Sequence, residues 1–495
     1  VGSEMCIRDR GSNARVFYII LLGLLLRLSY IVKPEGMWND EYVSWYVAST
    51  PFLKGFWQEV VKQCHMPLYY VYLKPFTGLS DTILRLTSVI PGVLAIPLMY
   101  AVGREHSKRC GYYAAMITSV LSFLIYYSQE IRFYSLLFLF SALSLLFTIR
   151  YLKYGDKKNF VLYLLSNVLI LSTHIIGAIY VFFSFLYVMY RKKKFSIIYV
   201  FMFFLLLWFL RLPVNFLRML PASQWWGHFS YTNILFLFSD YFSPILTNNV
   251  TAPPVFFYDK SIALWLTIPT LIALAGMIAG FKKGLGFIVI STITVMSVIA
   301  ACGKLVFITK YSIEILPILI LFTAIGFVRL KQKGAILLLI FAAFHLAALF
   351  TPNYVTRLKR NEGHKIVGDI LNYQDSQNVI FTYYEPDRFY RYADLKGKKL
   401  YFISKSNRFE YMDNPASILS KIPVGQSVSV VFLDSVSFFD EDFLYNNKNN
   451  TEIPEMFVMF SNVKNSIIRR LDRDFKDCKL ARGGYWTVVK AVRYK

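Results

Sequence analysis

Apolar runs separated by short polar connections fill the chain from Val16 to Phe350. Several reach roughly 16–18 or more mostly apolar residues, long enough to cross a hydrocarbon core about 30 Å thick. The runs as a whole, not all of that length, lie at Val16–Val32, Leu84–Val102, Tyr112–Tyr127, Phe133–Ile149, Phe160–Ser172, Ile175–Tyr190, Ile197–Leu212, Ile262–Phe281, Gly286–Ala301, Ser312–Val328 and Ala335–Phe350. The pattern predicts about eleven transmembrane helices. Pro67–Leu79 is also apolar, but it is short and broken by Lys74, Pro75 and Gly78. It is expected to be interfacial or re-entrant, within a loop from Lys33 to Leu84 that also holds two short amphipathic helices. A second long loop, Pro213 to Lys260, is rich in aromatics (Trp225-Trp226, Tyr231, Tyr241) and long enough to act as a lid.

The pattern changes near Thr351. Strands are predicted at Asn378–Thr382, Leu400–Ser404, Ser427–Leu433 and Tyr485–Val492, and helices at Glu362–Tyr373 and Val463–Phe475. Their alternation predicts a small α/β domain. The fold class is therefore an α-helical polytopic membrane protein with a C-terminal α/β domain, divided as 1–15, 16–350 and 351–495. The first ten residues, VGSEMCIRDR, resemble a translated sequencing-adaptor scar and are set aside as a non-native leader. An independent read across the gene's start is expected to lack them.

Composition agrees with the patterning. Of 495 residues, 56% are hydrophobic and only 17% charged, and the mean hydropathy is +0.45. A soluble globular chain is about 45–50% apolar and about 25% charged. The formal charge of +24 suggests nucleic acid at first sight, but its placement points to a membrane. With the N-terminus inside, the inner loops carry Arg104, Lys108 and Arg109; Arg150, Lys153, Lys157 and Lys158; Arg191 to Lys194; Lys282 and Lys283; and Arg329, Lys331 and Lys333. The short outer connections carry only Arg132, Lys304 and Lys310. This is a positive-inside pattern, and no nucleic-acid partner is expected. An odd number of spans places the C-terminal domain on the outer face. The five cysteines show no CxxC spacing, so neither a zinc site nor a disulfide framework is indicated.

Under this topology the polar outliers collect at the outer interface: Asp40, Glu41, His65, Glu130, Arg132, His174, Lys304 and Lys310. Ionisable groups near membrane depth are rare unless functional or paired. Asp40-Glu41 could supply a general base or hold a divalent cation; the plainer reading is a helix N-terminus. Glu130 and Arg132 could serve the acceptor and a phosphate, or pair with each other in a tight turn. Lys310-Tyr311 could meet a phosphate or simply anchor a span in the interface. Arg85 has the same ambiguity, and His65 and His174 are each ordinary as lone structural histidines.

Together and in this order, these residues resemble the polyprenyl-phosphate-sugar-dependent glycosyltransferases of the GT-C fold. The likeness is to the bacterial branch related to protein O-mannosyltransferases and lipid A aminoarabinose transferases. An acidic pair in the first outer loop matches Asp40-Glu41. A His-Pro-Pro-Leu-Tyr-Tyr-like segment matches His65-Met66-Pro67-Leu68-Tyr69-Tyr70, with Met66 in place of a proline. Arg85-Leu86-Thr87-Ser88 begins the second span, and Tyr127 to Tyr134 follows a Tyr-Ser-Gln-Glu-Ala-Arg-Met-Tyr-like pattern with Ile131 and Phe133 substituted. Thr173-His174 ends a span, and Lys310-Tyr311 with Pro317 matches a basic-Tyr pair. The resemblance is specific from Val16 to Tyr190, thinner to Phe350, and says little of the outer domain.

It implies transfer of a sugar from a polyprenyl-phosphate-linked donor to a glycan, lipid or protein acceptor. The reaction would run on the extracytoplasmic face of a bacterial inner membrane, among membrane lipids. Asp40 would be the base, with Glu41 and Glu130 as further acidic residues. Arg132, Lys310 and Arg85 would neutralise the phosphate. His65, Tyr69, Tyr127, Gln129, Tyr134, His174 and Tyr311 would bind substrate. Such enzymes usually invert the anomeric centre and commonly need no metal, although Glu41 beside Asp40 leaves a divalent cation open. The rival class is a transporter or flippase for lipid-linked saccharides, which would need a polar path through the bilayer. A third is an inactive binding or scaffold protein, with the outer domain doing the work.

Overall fold

The computed structural model describes residues 2–33, 36–63, 66–193, 232–244, 260–302, 308–350, 364–381, 391–402, 415–433, 467–483 and 486–494. The chain forms two compact units. One comprises Val1–Ile31 with Ser44–Lys359, and the other Val32–Val43 with Arg360–Lys495.

The first unit is helical. Its elements are α1 (Gly2–Leu28), α2 (Asn39–Ser49, which begins in the other unit), α3 (Trp57–Lys62), α4 (Leu68–Leu73), α5 (Asp81–Arg104), α6 (Lys108–Val120), α7 (Ser122–Ser128), α8 (Tyr134–Tyr154), α9 (Lys157–Thr173) and α10 (Gly177–Lys192). There follow α11 (Thr232–Phe242), α12 (Lys260–Gly280), α13 (Lys283–Ala301), α14 (Leu316–Arg329, preceded by a 3-10 segment Thr309–Ile315) and α15 (Lys331–Ala348). Every expected span falls on a helix except Ile197–Leu212, which lies outside the described residues.

Among the described residues, five helices are long and apolar enough to cross a bilayer, six if the pair α6–α7 is one span bent by 57°. α9 and α10 have 17 and 16 residues, just under the about 20 of an ordinary span. These are the apolar helices of a multi-pass membrane protein. Pro67–Leu79 forms α4 and a 3-10 turn at Lys74–Phe76, consistent with the reading that it does not span.

Local chemistry sets the breaks. Ser80 accepts from the Ile83 amide at the start of α5, and Ser107 from the Cys110 amide at the start of α6. Gly155 stops α8 in the left-handed region at φ +75°. Asp156 then caps α9 by accepting from the Asn159 amide at 2.8 Å, so two residues turn the chain. α12 and α14 meet backbone to backbone: a Cβ on Gly280 would lie 1.8 Å from the Phe322 carbonyl. Small residues allow that approach in membrane bundles.

The second unit is built on a five-stranded sheet of order β2-β1-β3-β5-β4. Its strands are β1 (Asn378–Phe381), β2 (Lys399–Phe402), β3 (Ser427–Leu433), β4 (Phe475–Gly483) and β5 (Trp486–Arg493). β1 runs parallel to β2 and β3, and β5 antiparallel to β3 and β4. The sheet is buried on both faces. Val379, Phe381, Val431 and Val488 pack under α16 (His364–Gln374) through Val367 and Leu371. Ile380, Val428, Val430, Val489 and Ala491 pack against Ile418, Ile422, Ile467 and Leu471. The expected strands are present, and β4 is an addition on the edge.

Candidate active site

The break between α7 and α8 is the centre of the site in the helical unit. α7 ends at Ser128 and α8 starts at Tyr134, so residues 129–133 form a tight irregular turn in which the Arg132 amide donates to the Glu130 carbonyl at 2.8 Å. The turn is buried throughout. Its side chains divide into two sets.

One set supports the fold. The Gln129 side-chain amide reaches the carbonyls of Leu26 at 3.2 Å and Arg27 at 3.1 Å, and also that of Ser29. It therefore satisfies the open end of α1. Ser128 Oγ accepts from Arg27 Nε at 3.2 Å. The rest of that buried guanidinium donates to the carbonyls of Gly23, Ser119 and Thr118 at 3.0–3.1 Å. Arg27 thus faces the protein interior rather than snorkelling.

The other set forms an aromatic and cationic surface. The Tyr134 ring lies 4.8 Å from Tyr127 and 4.5 Å from Phe133. Two cations share that ring: Arg132 Cζ at 5.8 Å and Lys310 Nζ at 5.7 Å from its centroid. Arg132 also sits 5.0 Å from the Phe133 ring and donates to Ser44 Oγ at 3.2 Å. Lys310 also lies over Tyr311. His174 stacks on Phe133 at 4.9 Å and approaches Tyr311 at 5.7 Å, while Tyr69 meets Phe133 edge-on at 6.2 Å. Tyr127, Arg132, Tyr134, His174, Lys310, Tyr311 and Tyr69, far apart in sequence, are therefore brought together. Cation–π contacts place a guanidinium and an ammonium on one tyrosine ring, and two cations so gathered suit a phosphate.

Two buried carboxylates join this surface that sequence reasoning missed. Glu314 Oε1 lies 3.4 Å from His174 Nδ1. It sits beside the start of α10, where a Cβ on Gly177 would come within 3.2 Å of it. Asp240 accepts from Thr309 Oγ1 at 2.8 Å, and neighbouring Tyr241 donates to the Thr309 carbonyl at 3.1 Å. Each is a lone acid in an apolar stretch, in Phe236–Phe242 and Tyr311–Leu321, and that isolation was the available signal.

Arg85 is fully buried, with Nη1 3.5 Å from the Ile31 carbonyl. Glu130 is buried in the turn. His65, Lys304 and the tryptophans of the Pro213–Lys260 loop lie outside the described residues.

In the second unit, Asp40 and Glu41 occupy the first turn of α2. Glu41 is fully buried; its Oε1 lies 3.4 Å from Lys33 Nζ, and its Oε2 accepts from the Trp38 amide at 3.4 Å. Both Glu41 oxygens are thus engaged, one by a cation, and this does not fit a divalent ion at that carboxylate. Among the described residues no group of three or more His, Cys, Asp or Glu side chains could hold a metal. Asp40 is half-buried.

The far end of α2, in the first unit, is closed by Lys74, whose ammonium donates to the carbonyls of Ala48 at 2.8 Å and Thr50 at 2.5 Å and lies over Phe52 and Phe56. Burial draws the Lys74 pKa below its ordinary value.

The fold resembles that of GT-C lipid-linked-sugar glycosyltransferases, in line with the resemblance that the motif order carries. The chain aligns with ArnT from Cupriavidus metallidurans in the apo state at 11% identity and a TM-score of 0.55, over 97% of this chain and 98% of that one. With ArnT from the same organism bound to undecaprenyl phosphate, the values are 12%, 0.50, 96% and 97%. A looser likeness, at 10% identity and a TM-score of 0.43 over 97% of this chain and 74% of that one, is to the Archaeoglobus fulgidus oligosaccharyltransferase tethered with an acceptor peptide. What is shared is the fold. No family model and no curated protein sequence matches the chain.

Proposed function

We propose that this chain is an integral-membrane glycosyltransferase that moves a sugar from a polyprenyl-phosphate donor to an envelope glycan, lipid or protein acceptor. The observation that carries the reading is the pair of cations, Arg132 and Lys310, held on one tyrosine ring within a GT-C fold. The membrane part has about eleven spans, with the N-terminus cytoplasmic and the C-terminal domain extracytoplasmic, as the basic loops require.

Asp40 takes the proton from the acceptor nucleophile as it attacks the anomeric carbon. The bond from that carbon to the phosphate oxygen breaks, and its electron pair stays on the leaving phosphate. Arg132, Lys310 and Arg85 stabilise the charge that develops there. Attack opposite the leaving group inverts the anomeric centre. Asp40 is preferred to Glu41 because Asp40 is half-buried and open to an acceptor, whereas Glu41 is fully buried. Glu130 is the second acidic residue of the site. A lipid-bound donor fits the ArnT structure that holds undecaprenyl phosphate.

The test is Asp40→Asn. In membranes of a strain lacking the gene, which supply the native donor and acceptor, purified variant should transfer about 10²–10⁴-fold more slowly. A wild-type rate would remove Asp40 from the mechanism. A topology map that put Lys192 outside would overturn the architecture. A transporter would instead move lipid-linked saccharide between leaflets without forming a new glycosidic bond.

A further inference from the structure

The loop that delivers Asp40 is anchored 355 residues away along the chain. The Met37 amide donates to Tyr392 Oη at 2.8 Å. Met37 is fully buried, and a buried amide needs a partner; this hydroxyl supplies it. Gly36, just before, has φ +88°. A Cβ there would lie 2.7 Å from Lys365 Cβ and 2.9 Å from Tyr392 Cζ and Oη. Only glycine brings the chain in this close with that backbone angle.

Tyr392 is itself fixed. Asn372 Nδ2 donates to its carbonyl at 2.9 Å, and Asn372 Oδ1 accepts from the Asp394 amide at 2.7 Å. Gly368 admits its backbone, since a Cβ on Gly368 would lie 2.5 Å from Tyr392 Cβ. Lys365, Gly368 and Asn372 fall at i, i+3 and i+7, one face of α16. The adjoining face of α16 carries Val367 and Leu371 into the sheet core. The anchor is thus continuous with the core of the α/β domain. On the loop side, Lys33 and the Trp38 amide close onto Glu41, and Asp40 follows the anchor by three residues.

We infer that the α/β domain is a positioning element for catalysis, with Tyr392 as the positioning residue that sets the loop carrying Asp40. This rests on the assignment of Asp40 as the base. Small displacements of a reacting group lower rates steeply, so loosening the tether lowers turnover without weakening donor binding.

The test compares purified full-length wild type, Tyr392→Phe, Asp40→Asn and the double variant, with Tyr373→Phe, at an exposed position of α16, as control. Tyr392→Phe removes one oxygen and leaves the ring in its seat. Hydrogen exchange at the Met37 amide should speed up by about tenfold or more. With lipid extract of the deletion strain as donor, apparent kcat should fall about tenfold, while apparent KM for the extract moves less than twofold. Both rates are taken per folded molecule. The double variant should be no slower than Asp40→Asn, because Tyr392 acts through Asp40.

Unchanged Met37 exchange in Tyr392→Phe would overturn the anchor. Faster exchange with a wild-type kcat, or a double variant slower by the product of the two effects, would overturn the positioning role and leave Asp40 as base. An Asp40→Asn variant at the wild-type rate would instead overturn the base assignment, a failure the exchange measurement does not share.

Discussion

α5 and α8 each carry charge at both ends, and the two ends are built differently. At the Arg104 and Tyr154 end, Glu105 accepts from Arg150 Nε at 2.7 Å and lies 3.3 Å from Lys153 Nζ. Both basic side chains are at least a third exposed. At the other end, Arg85, Glu130 and Arg132 are buried, in the company of Arg27, His174 and Glu314. The same helices therefore have one end where opposite charges meet in water and one where charges are packed among rings and backbone. Exposed pairs contribute little, about 0–1 kcal/mol, and need no function to explain them. Buried ionisable groups are costly and persist where paired, bonded or used. The difference marks the buried end as the candidate site.

The buried end should break first as chemistry. Arg132→Met keeps length and burial but removes the cation from the Phe133 and Tyr134 faces. Transfer should fall about 10²–10³-fold, the loss typical of a group that stabilises developing charge. The apparent melting temperature in detergent should stay within a few degrees of wild type. Equal losses of activity and folded protein would make Arg132 a structural residue like Arg27.

Arg27 gives the opposite signature. Its guanidinium bonds to the Ser128 hydroxyl and three carbonyls, and removal leaves buried acceptors short of a donor. Arg27→Met should destabilise by about 1–3 kcal/mol, read as lower melting and lower yield, with the rate per folded molecule near wild type. Gln129→Leu should behave likewise at about 1–2 kcal/mol, since its amide closes the end of α1. A tenfold rise in donor KM for Gln129→Leu would move Gln129 to the chemical side of the turn.

These pairs show where sequence stops informing. The apolar helices were legible because a helix's apolar length is written locally, and the buried strands because β1 and β3 are rich in apolar, β-branched residues. β4 was not, for Phe475–Gly483 is an edge strand whose Lys476, Asp477, Lys479 and Arg482 break the alternation while keeping the edge from pairing elsewhere. The gathering of Tyr127, Arg132, Tyr134, His174 and Lys310 was legible as motif order. The direction each side chain takes was not: residues 129–133 are neither helix nor strand, so no period tells that Gln129 turns to α1 while Arg132 turns to the rings. Asp240 and Glu314 carried no motif, only their isolation among apolar neighbours. The tie between Met37 and Tyr392 is a backbone amide on a hydroxyl, and a backbone donor has no sequence signature.

The exposed end yields the smallest effect, and its sign can be stated. Burial alone would raise the Glu105 pKa, but hydrogen bonds from Arg150 and then Lys153, with their charges, hold it below its ordinary 4.5. A carboxylate whose pKa is lower folded than unfolded adds stability above its unfolded pKa, and that stability is lost as pH falls through the folded value. Glu105→Gln should therefore lower the melting temperature at neutral pH. The partners are partly exposed, so the difference should be about 1 kcal/mol or less. It should shrink as pH drops below about 4.5 and the wild-type carboxylate takes up its proton. Added salt should shrink it too, because screening reaches these side chains, whereas the same salt should leave the melting deficit of Arg27→Met unchanged. A Glu105→Gln deficit that persisted at low pH and high salt would mean that the charges at this end are held as firmly as those around Tyr134, and the contrast between the two ends of α5 and α8 would fail.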